Sequence, residues 1–256
     1  MHDIIDSHVH LDLAAFDQDR DAVIARAAQA GIRQMVVPAV SAAGWPRLHA
    51  LARSHPQTLY PAYGLHPMFM AEHAPGDVDA LSSWLDTHEA RAIGEIGLDF
   101  QADTTDHEQQ RQVFRQQLQL AGERDLPVIV HARGAMEEVS LTLRRTAGAR
   151  GVVHSFSGSE QQARQLWDIG FHLGIGGVVT YPRAQRLRRI VAQMPLQFLL
   201  LESDAPDQPG ITHRGERNEP AHVVEVLQCI AELRQQPEAE IAAATSANAR
   251  RLFGLE

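Results

Sequence analysis

Two histidines one residue apart, His8 and His10 in Asp6-Ser7-His8-Val9-His10, follow the apolar pair Ile4-Ile5. An apolar run that passes into polar residues reads as the end of a short buried strand. Strand side chains alternate, so both imidazoles fall on one face about 6 to 7 Å apart along the backbone, a spacing that suits two ligands of one metal ion. Such a pair recurs by chance, and its meaning comes from the ends of later strand-like runs. These carry Glu95 in Gly94-Glu95-Ile96-Gly97-Leu98-Asp99, His131 in His131-Ala132-Arg133, His154 in His154-Ser155-Phe156-Ser157-Gly158, and Asp204 in Glu202-Ser203-Asp204-Ala205-Pro206. Imidazole mixed with carboxylate suits zinc, manganese or iron better than calcium, and six ligands are too many for one tetrahedral ion.

Two divalent ions are the economical expectation, with zinc, manganese and magnesium as candidates. All 23 basic residues are arginine. That excludes a Schiff-base lysine, a phosphate-loop lysine and a carbamylated lysine set between two metals, so a bridging side chain must be a carboxylate. Glu95 is the natural bridge. One ion is then expected on His8, His10, Glu95 and Asp204, the other on Glu95, His131 and His154, with a water shared between them. Two cations about 3.5 to 4 Å apart lower that water's pKa enough to supply hydroxide near neutral pH. Asp204 serves as ligand and as proton acceptor. This is hydrolase chemistry.

The elements that must position these groups alternate along the chain. Strand-like runs fall at Ile4 to Ser7, Gln34 to Val40, Leu59 to Gly64, Ala92 to Leu98, Val128 to His131, Gly151 to Ser155, Phe171 to Ile175 and Phe198 to Glu202. Each is mostly apolar, as a parallel strand buried on both faces requires. Helical patterns lie between them, at Asp19 to Ala30, Trp45 to Ser54, Val78 to His88, Asp106 to Arg124, Met136 to Thr146, Glu160 to Ile169, Ala184 to Met194 and Ala221 to Arg234, with a last helix near Glu238 to Leu252. Eight such pairs predict a (β/α)8 TIM barrel, and a length of 256 residues suits one such domain over 1–256. An open doubly wound sheet is the runner-up, but no Gly-x-Gly-x-x-Gly turn follows a strand.

Composition sets further bounds. No apolar window is long enough for a membrane span and no leader pattern opens the chain, so a cytoplasmic protein is expected. Cys229 is the single cysteine, which excludes an internal disulfide or a thiolate-rich zinc site. A net charge of −9 argues against a protein that coats duplex DNA by charge. It leaves room for a small phosphate pocket. His66, braced by Pro67 at the end of the third strand, is a candidate donor to a substrate oxygen. Arg133, two residues past His131 on the same face, is a candidate phosphate clamp. Arg214 and Arg217 follow the last strand, where barrels often gather phosphate-binding groups.

The five motifs, together with Gly64-Leu65-His66-Pro67, also resemble, in order and across nearly the whole chain, those of the TatD-type metal-dependent hydrolases. That resemblance implies a two-metal barrel of the amidohydrolase superfamily and deoxyribonuclease activity, typically 3′ to 5′ exonuclease action on DNA. It carries the family's metal ligands onto His8, His10, Glu95, His131, His154 and Asp204. The chain departs from the family at Glu216, where lysine is frequent, while Ser7, Ser155 and Ser203 stand at positions that vary within the family and are expected to be supporting hydroxyls. An amide or lactone hydrolase acting on a small substrate and a non-catalytic metal-stabilised scaffold are the alternatives. The expected partner is a DNA 3′ end or a small phosphoester, with no membrane and no obligate protein partner.

Overall fold

Each apolar run becomes one strand of a single parallel sheet: β1 Ile4–Asp6, β2 Ile32–Pro38, β3 Leu59–Tyr63, β4 Ala92–Asp99, β5 Val128–Arg133, β6 Gly151–Val153, β7 His172–Ile175 and β8 Leu199–Leu201. Sequential strands pair in the order β1 to β8. Backbone bonds join the last strand to the first, with Ser7 N donating to Leu201 O at 2.9 Å and Asp204 N donating to His8 O at 2.9 Å. The computed structural model describes residues 2–101 and 106–256. Helices α1 Arg20–Ala30, α2 Trp45–Ser54, α3 Asp77–Leu85, α4 His107–Glu123, α5 Met136–Arg145, α6 Glu160–Trp167, α7 Gln185–Gln193 and α8 Val223–Arg234 follow the strands in turn, and α9 Glu238–Phe253 ends the chain. The fold is a TIM barrel.

Strand alternation divides the core into two layers. Ile5, Val36, Ala62, Ile129, Val152 and Leu200 fill the barrel, and Leu252 and Phe253 of α9 plug its foot. Their strand neighbours, including Ile4, Val37, Ile93, Val130 and Leu201, face outward and pack against helix residues such as Val23, Leu48, Leu81, Phe114, Val139 and Leu227. Each fully buried aliphatic or Phe side chain contributes about 1.5 to 3 kcal/mol. Two helix starts are held by side-chain caps. Asp106 caps α4 through Glu108 N at 2.8 Å, and Ser159 and Gln162 form a reciprocal capping box on α6.

Several boundaries differ from the sequence expectation, and those that bear on the site lie at the mouth. β1, β6 and β8 end at Asp6, Val153 and Leu201, so His8, His10, His154 and Asp204 stand on the segments just beyond the ladder. β4 and β5 run on to Asp99 and Arg133, where their pairing continues. The third helix is shorter than its apolar pattern, Asp77–Leu85.

Candidate metal centre

The centre begins with an irregularity in β4. Ile93 lies opposite Val128 and Ile96 opposite Val130, three residues of one strand against two of the other. This bulge interrupts the alternation. Ile93 and Ile96 both face the helix layer, while the intervening Glu95 turns into the mouth with its side chain wholly buried. Gly97 then lets β4 lie against β5. At its φ of +137°, an added Cβ would sit 2.1 Å from His131 O.

The two oxygens of Glu95 serve different neighbours. Oε2 lies 3.1 Å from His8 Nε2 and 3.4 Å from His10 Nε2, and Asp204 Oδ1 is 3.5 and 3.8 Å from the same two nitrogens. Oε1 lies 2.7 Å from His154 Nε2, 3.0 Å from His131 Nδ1 and 2.8 Å from His66 Nε2. His8 Nε2 and His10 Nε2 are 3.1 Å apart, and Glu95 Oε2 has no hydrogen-bond partner among the described residues. Atoms set so closely around a common point, without a donor–acceptor geometry, fit ligands of a cation. Groups His8, His10, Glu95 and His66, Glu95, His131 are both close enough to share an ion.

Neighbouring hydrogen bonds separate ligands from donors. His10 Nδ1 donates to Pro38 O at 3.1 Å, which leaves Nε2 with a lone pair in the neutral ring. His131 Nε2 donates to Asp99 Oδ2 at 2.8 Å, so its Nδ1 lone pair faces Glu95. His66 is the reverse. Its Nδ1 accepts from Met68 N at 3.0 Å, so the proton resides on Nε2 and is aimed at Glu95 Oε1. Proximity admits His66 as a ligand, but its tautomer makes it a donor.

The electrostatics follow from burial and charge. Burial by itself would raise Glu95, but the charges of His154, His66 and His8 around it hold it well below the usual carboxylate range. Burial likewise opposes charging of His10 and His154, yet Glu95 and Asp204 push these imidazoles up to about 9 and about 10. Burial raises Asp204, against His154 and His10. So many enclosed acids demand positive charge at the centre. Divalent ions would supply it.

A supporting layer surrounds these groups. Asp99 Oδ2 also accepts from Arg133 Nε at 2.7 Å. Burial opposes its charge, but His131 and Arg133 hold the Asp99 carboxyl below the ordinary carboxylate range. Glu202 accepts from Ser155 N at 2.6 Å, and burial pushes it up to about 8. Gly174 leaves it room, since a Cβ there would meet Glu202 Oε2 at 2.0 Å. Asp204 itself adopts φ 56°, a left-handed conformation that costs a non-glycine residue about 1 to 3 kcal/mol. Its carboxylate accepts from Gln208 Nε2.

A cavity of about 790 Å³ opens over the centre, lined by His10, His66, Glu95, His131, His154 and Asp204 together with Arg133, Arg183 and Arg186. Arg133 Nε is tied to Asp99, and its terminal nitrogens make no hydrogen bond among the described residues. Arg214 and Arg217 do not line this cavity. Arg214 is exposed. Arg217 is turned away onto α1, donating to Asp19 at 2.8 and 2.7 Å and to Glu219 at 2.9 Å, over the Phe16 ring. Two acids outcompete the mouth for its fork.

Asp99, Glu202, Gln208, Arg183 and Arg186 carry site geometry that sequence reasoning passed over. For Asp99 a signal existed, because positions 95, 97 and 99 share a face beyond the bulge. Arg183 and Arg186 carried none. They follow β7, a strand that bears no ligand, and resemble any other arginine in the chain.

The chain matches the family model described as TatD related DNase over residues 5–254. It is 42% identical over 254 residues to an uncharacterized metal-dependent hydrolase, YjjV, of Escherichia coli, covering 98% of each chain. It is 35% identical over 261 residues to a 3'-5' ssDNA/RNA exonuclease TatD of Erwinia tasmaniensis, covering 98% of this chain and 100% of that one. The crystal structure of the Escherichia coli TatD homolog YjjV superposes with a TM-score of 0.94 at 40% identity, over 99% of this chain and 98% of that one. A TatD family hydrolase of Entamoeba histolytica, 20% identical, shares the fold at a TM-score of 0.86 over 100% and 99% of the two chains. Sequence and barrel agree across nearly every residue, and the chain belongs to the TatD family of metal-dependent hydrolases.

Proposed function

We propose that the protein is a two-metal 3′ to 5′ exonuclease acting on free ends of single-stranded or frayed DNA in the cytoplasm. The observation that carries this reading is the division of Glu95, one oxygen toward His8 and His10 and the other toward His131 and His154. In this reading His8, His10, Glu95 and Asp204 hold one divalent ion, and Glu95, His131 and His154 hold the other. The imidazole-rich set suits zinc or manganese better than magnesium, which prefers oxygen ligands. When bound, such a pair lowers the pKa of a water and neutralises charge on a phosphodiester.

The chain's own residues do the rest. Asp204 Oδ1 takes a proton from the water that attacks phosphorus, and the O3′ of the preceding nucleotide leaves. With Glu95 engaged as a ligand, His66 would turn its Nε2 proton from Glu95 Oε1 to a non-bridging oxygen. Arg133, held by Asp99, presents two free nitrogens to the same phosphate. No helix among the described residues is long and apolar enough to cross a membrane. The ringed cavity favours a chain end over an internal bond, and the net charge of −9 limits counterion release. The name borne by the Erwinia relative supports the same substrate class.

The test is elemental analysis of purified protein followed by digestion of a 5′-labelled linear single strand and a covalently closed circle of the same sequence. Bound divalent metal with stepwise shortening of the linear strand is expected. Equal cutting of the circle, or hydrolysis of amides and lactones in place of DNA, overturns the reading.

A further inference from the structure

We propose that Arg183 and Arg186 form a second phosphate subsite, which holds the phosphate one nucleotide upstream of the bond being cut. This rests on the nuclease reading above and adds to it a minimum substrate, a strand with at least two phosphates.

Position in the barrel is the first argument. Loops after β3 and β7 stand on opposite sides of an eight-stranded ring, and β5 with Arg133 lies midway between them. Arg183 and Arg186, after β7, line the same cavity as Glu95 and Asp204, and so do Met68 and Phe69 after β3. A strand end laid across the mouth therefore meets an apolar and aromatic side at β3, reacting groups in the middle and guanidinium groups at β7. A terminal base stacks on the first, which accepts any base. An upstream phosphate reaches the last.

Charge is the second argument. Arginines elsewhere in this acidic chain are commonly neutralised, as Arg217 is by Asp19 and Glu219. Arg183 and Arg186 form no ion pair with a carboxylate among the described residues, although the exposed Asp207 shares the rim. Arg186 Nη2 donates to Ser157 O at 2.9 Å, which fastens the start of α7 to the loop after β6. Arg183 rests over the Tyr181 ring at 5.3 Å. Both forks are thus positioned yet keep donors for an anion. A monoester cannot use them while its one phosphate sits at Glu95 and Asp204.

The experiment compares kcat/KM of the metal-loaded protein on the dinucleoside monophosphate TpT and on TpTpT, which differ by one phosphate and one nucleoside. The parent is expected to favour TpTpT by on the order of tenfold, as a charge-assisted bidentate contact warrants. In the Arg183→Ala/Arg186→Ala double variant the ratio should fall toward one. Salt dependence on TpTpT should also flatten by about 0.7 in logarithmic slope, the share of one phosphate on a single strand. A parent that does not distinguish the two substrates, or a double variant that keeps the parent's ratio, overturns the subsite while leaving the nuclease reading intact. A parent that cleaves neither overturns both.

Discussion

The barrel carries a cavity of about 790 Å³ at its mouth and another of about 1030 Å³ at its foot. The larger is lined by Arg33, Arg53, Arg91, His49 and His88, a set that by residue type alone could also bind an anion. Two of its arginines are answered side by side at the surface. Arg33 pairs with Asp3 and Arg91 with Glu89, whose side chains are 70% and 76% exposed. Pairs so exposed are screened by water and contribute little. His88 stacks on Trp84 with ring centres 3.6 Å apart. At the mouth, by contrast, His8 and Glu95 have no exposed surface, and Glu95 Oε2 lacks a hydrogen-bond partner among the described residues. Volume does not mark the site. Enclosed polar groups that need a cation do, and barrels keep their chemistry at this end.

The largest effect should come from the group that joins the two halves of the mouth. Glu95→Ala should remove both metals and lower activity by at least about 10³-fold, because the two ligand sets share this carboxylate. His10→Ala and His154→Ala should each empty chiefly one site. Elemental analysis decides, and a Glu95→Ala protein that keeps its full metal content would show that the mouth needs no bridge.

Asp204→Asn comes next. It keeps an oxygen ligand but removes the proton acceptor, so kcat should drop by about 10² to 10⁴ with most of the metal retained. Turnover within a few fold of the parent would remove Asp204 from the reaction.

Two histidines with opposite tautomers sharpen the contrast inside the mouth. Asp99→Asn, which disturbs the hydrogen bond that keeps the proton of His131 on Nε2, should weaken one metal by about 10 to 100-fold. His66→Ala should leave both metals bound and reduce kcat/KM by on the order of tenfold, as loss of a donor does. Titrating metal into the apo forms separates these outcomes. Metal loss in His66→Ala would mean that its Nε2 is a ligand after all.

The smallest effect is expected at the foot. Arg53→Ala should leave metal content unchanged and activity within twofold, since the chemistry lies at the other end of the strands. A large fall in kcat/KM there would break the comparison between the two cavities.

How much of this was legible depended on the range of the interaction involved. Strand order, barrel closure and the histidine and acid motifs rest on local alternation and on spacing within a few residues, so Ile4 to His10 already displays its chemistry. Glu95 was visible as a residue type, whereas its direction was not, because it depends on a bulge measured against β5. Asp99 shares the face of Glu95 beyond that bulge, and its bond to His131 likewise depends on the pairing of β4 with β5.

By itself, then, the sequence determined the barrel, the absence of any lysine chemistry and the six residues whose donor atoms converge. Only the tertiary structure decided which nitrogen of His66 or His131 carries the proton, because Met68 N and Asp99 Oδ2 settle it. It also decided which arginines face the mouth. Arg217 meets Asp19 across 198 residues of chain and is spent there, while Arg183 and Arg186 arrive at the rim with no carboxylate among the described residues paired to them. A guanidinium has the same chemistry wherever it stands, so its role is set by the partner that folding brings to it, and that partner lies too far along the chain for local pattern to reveal.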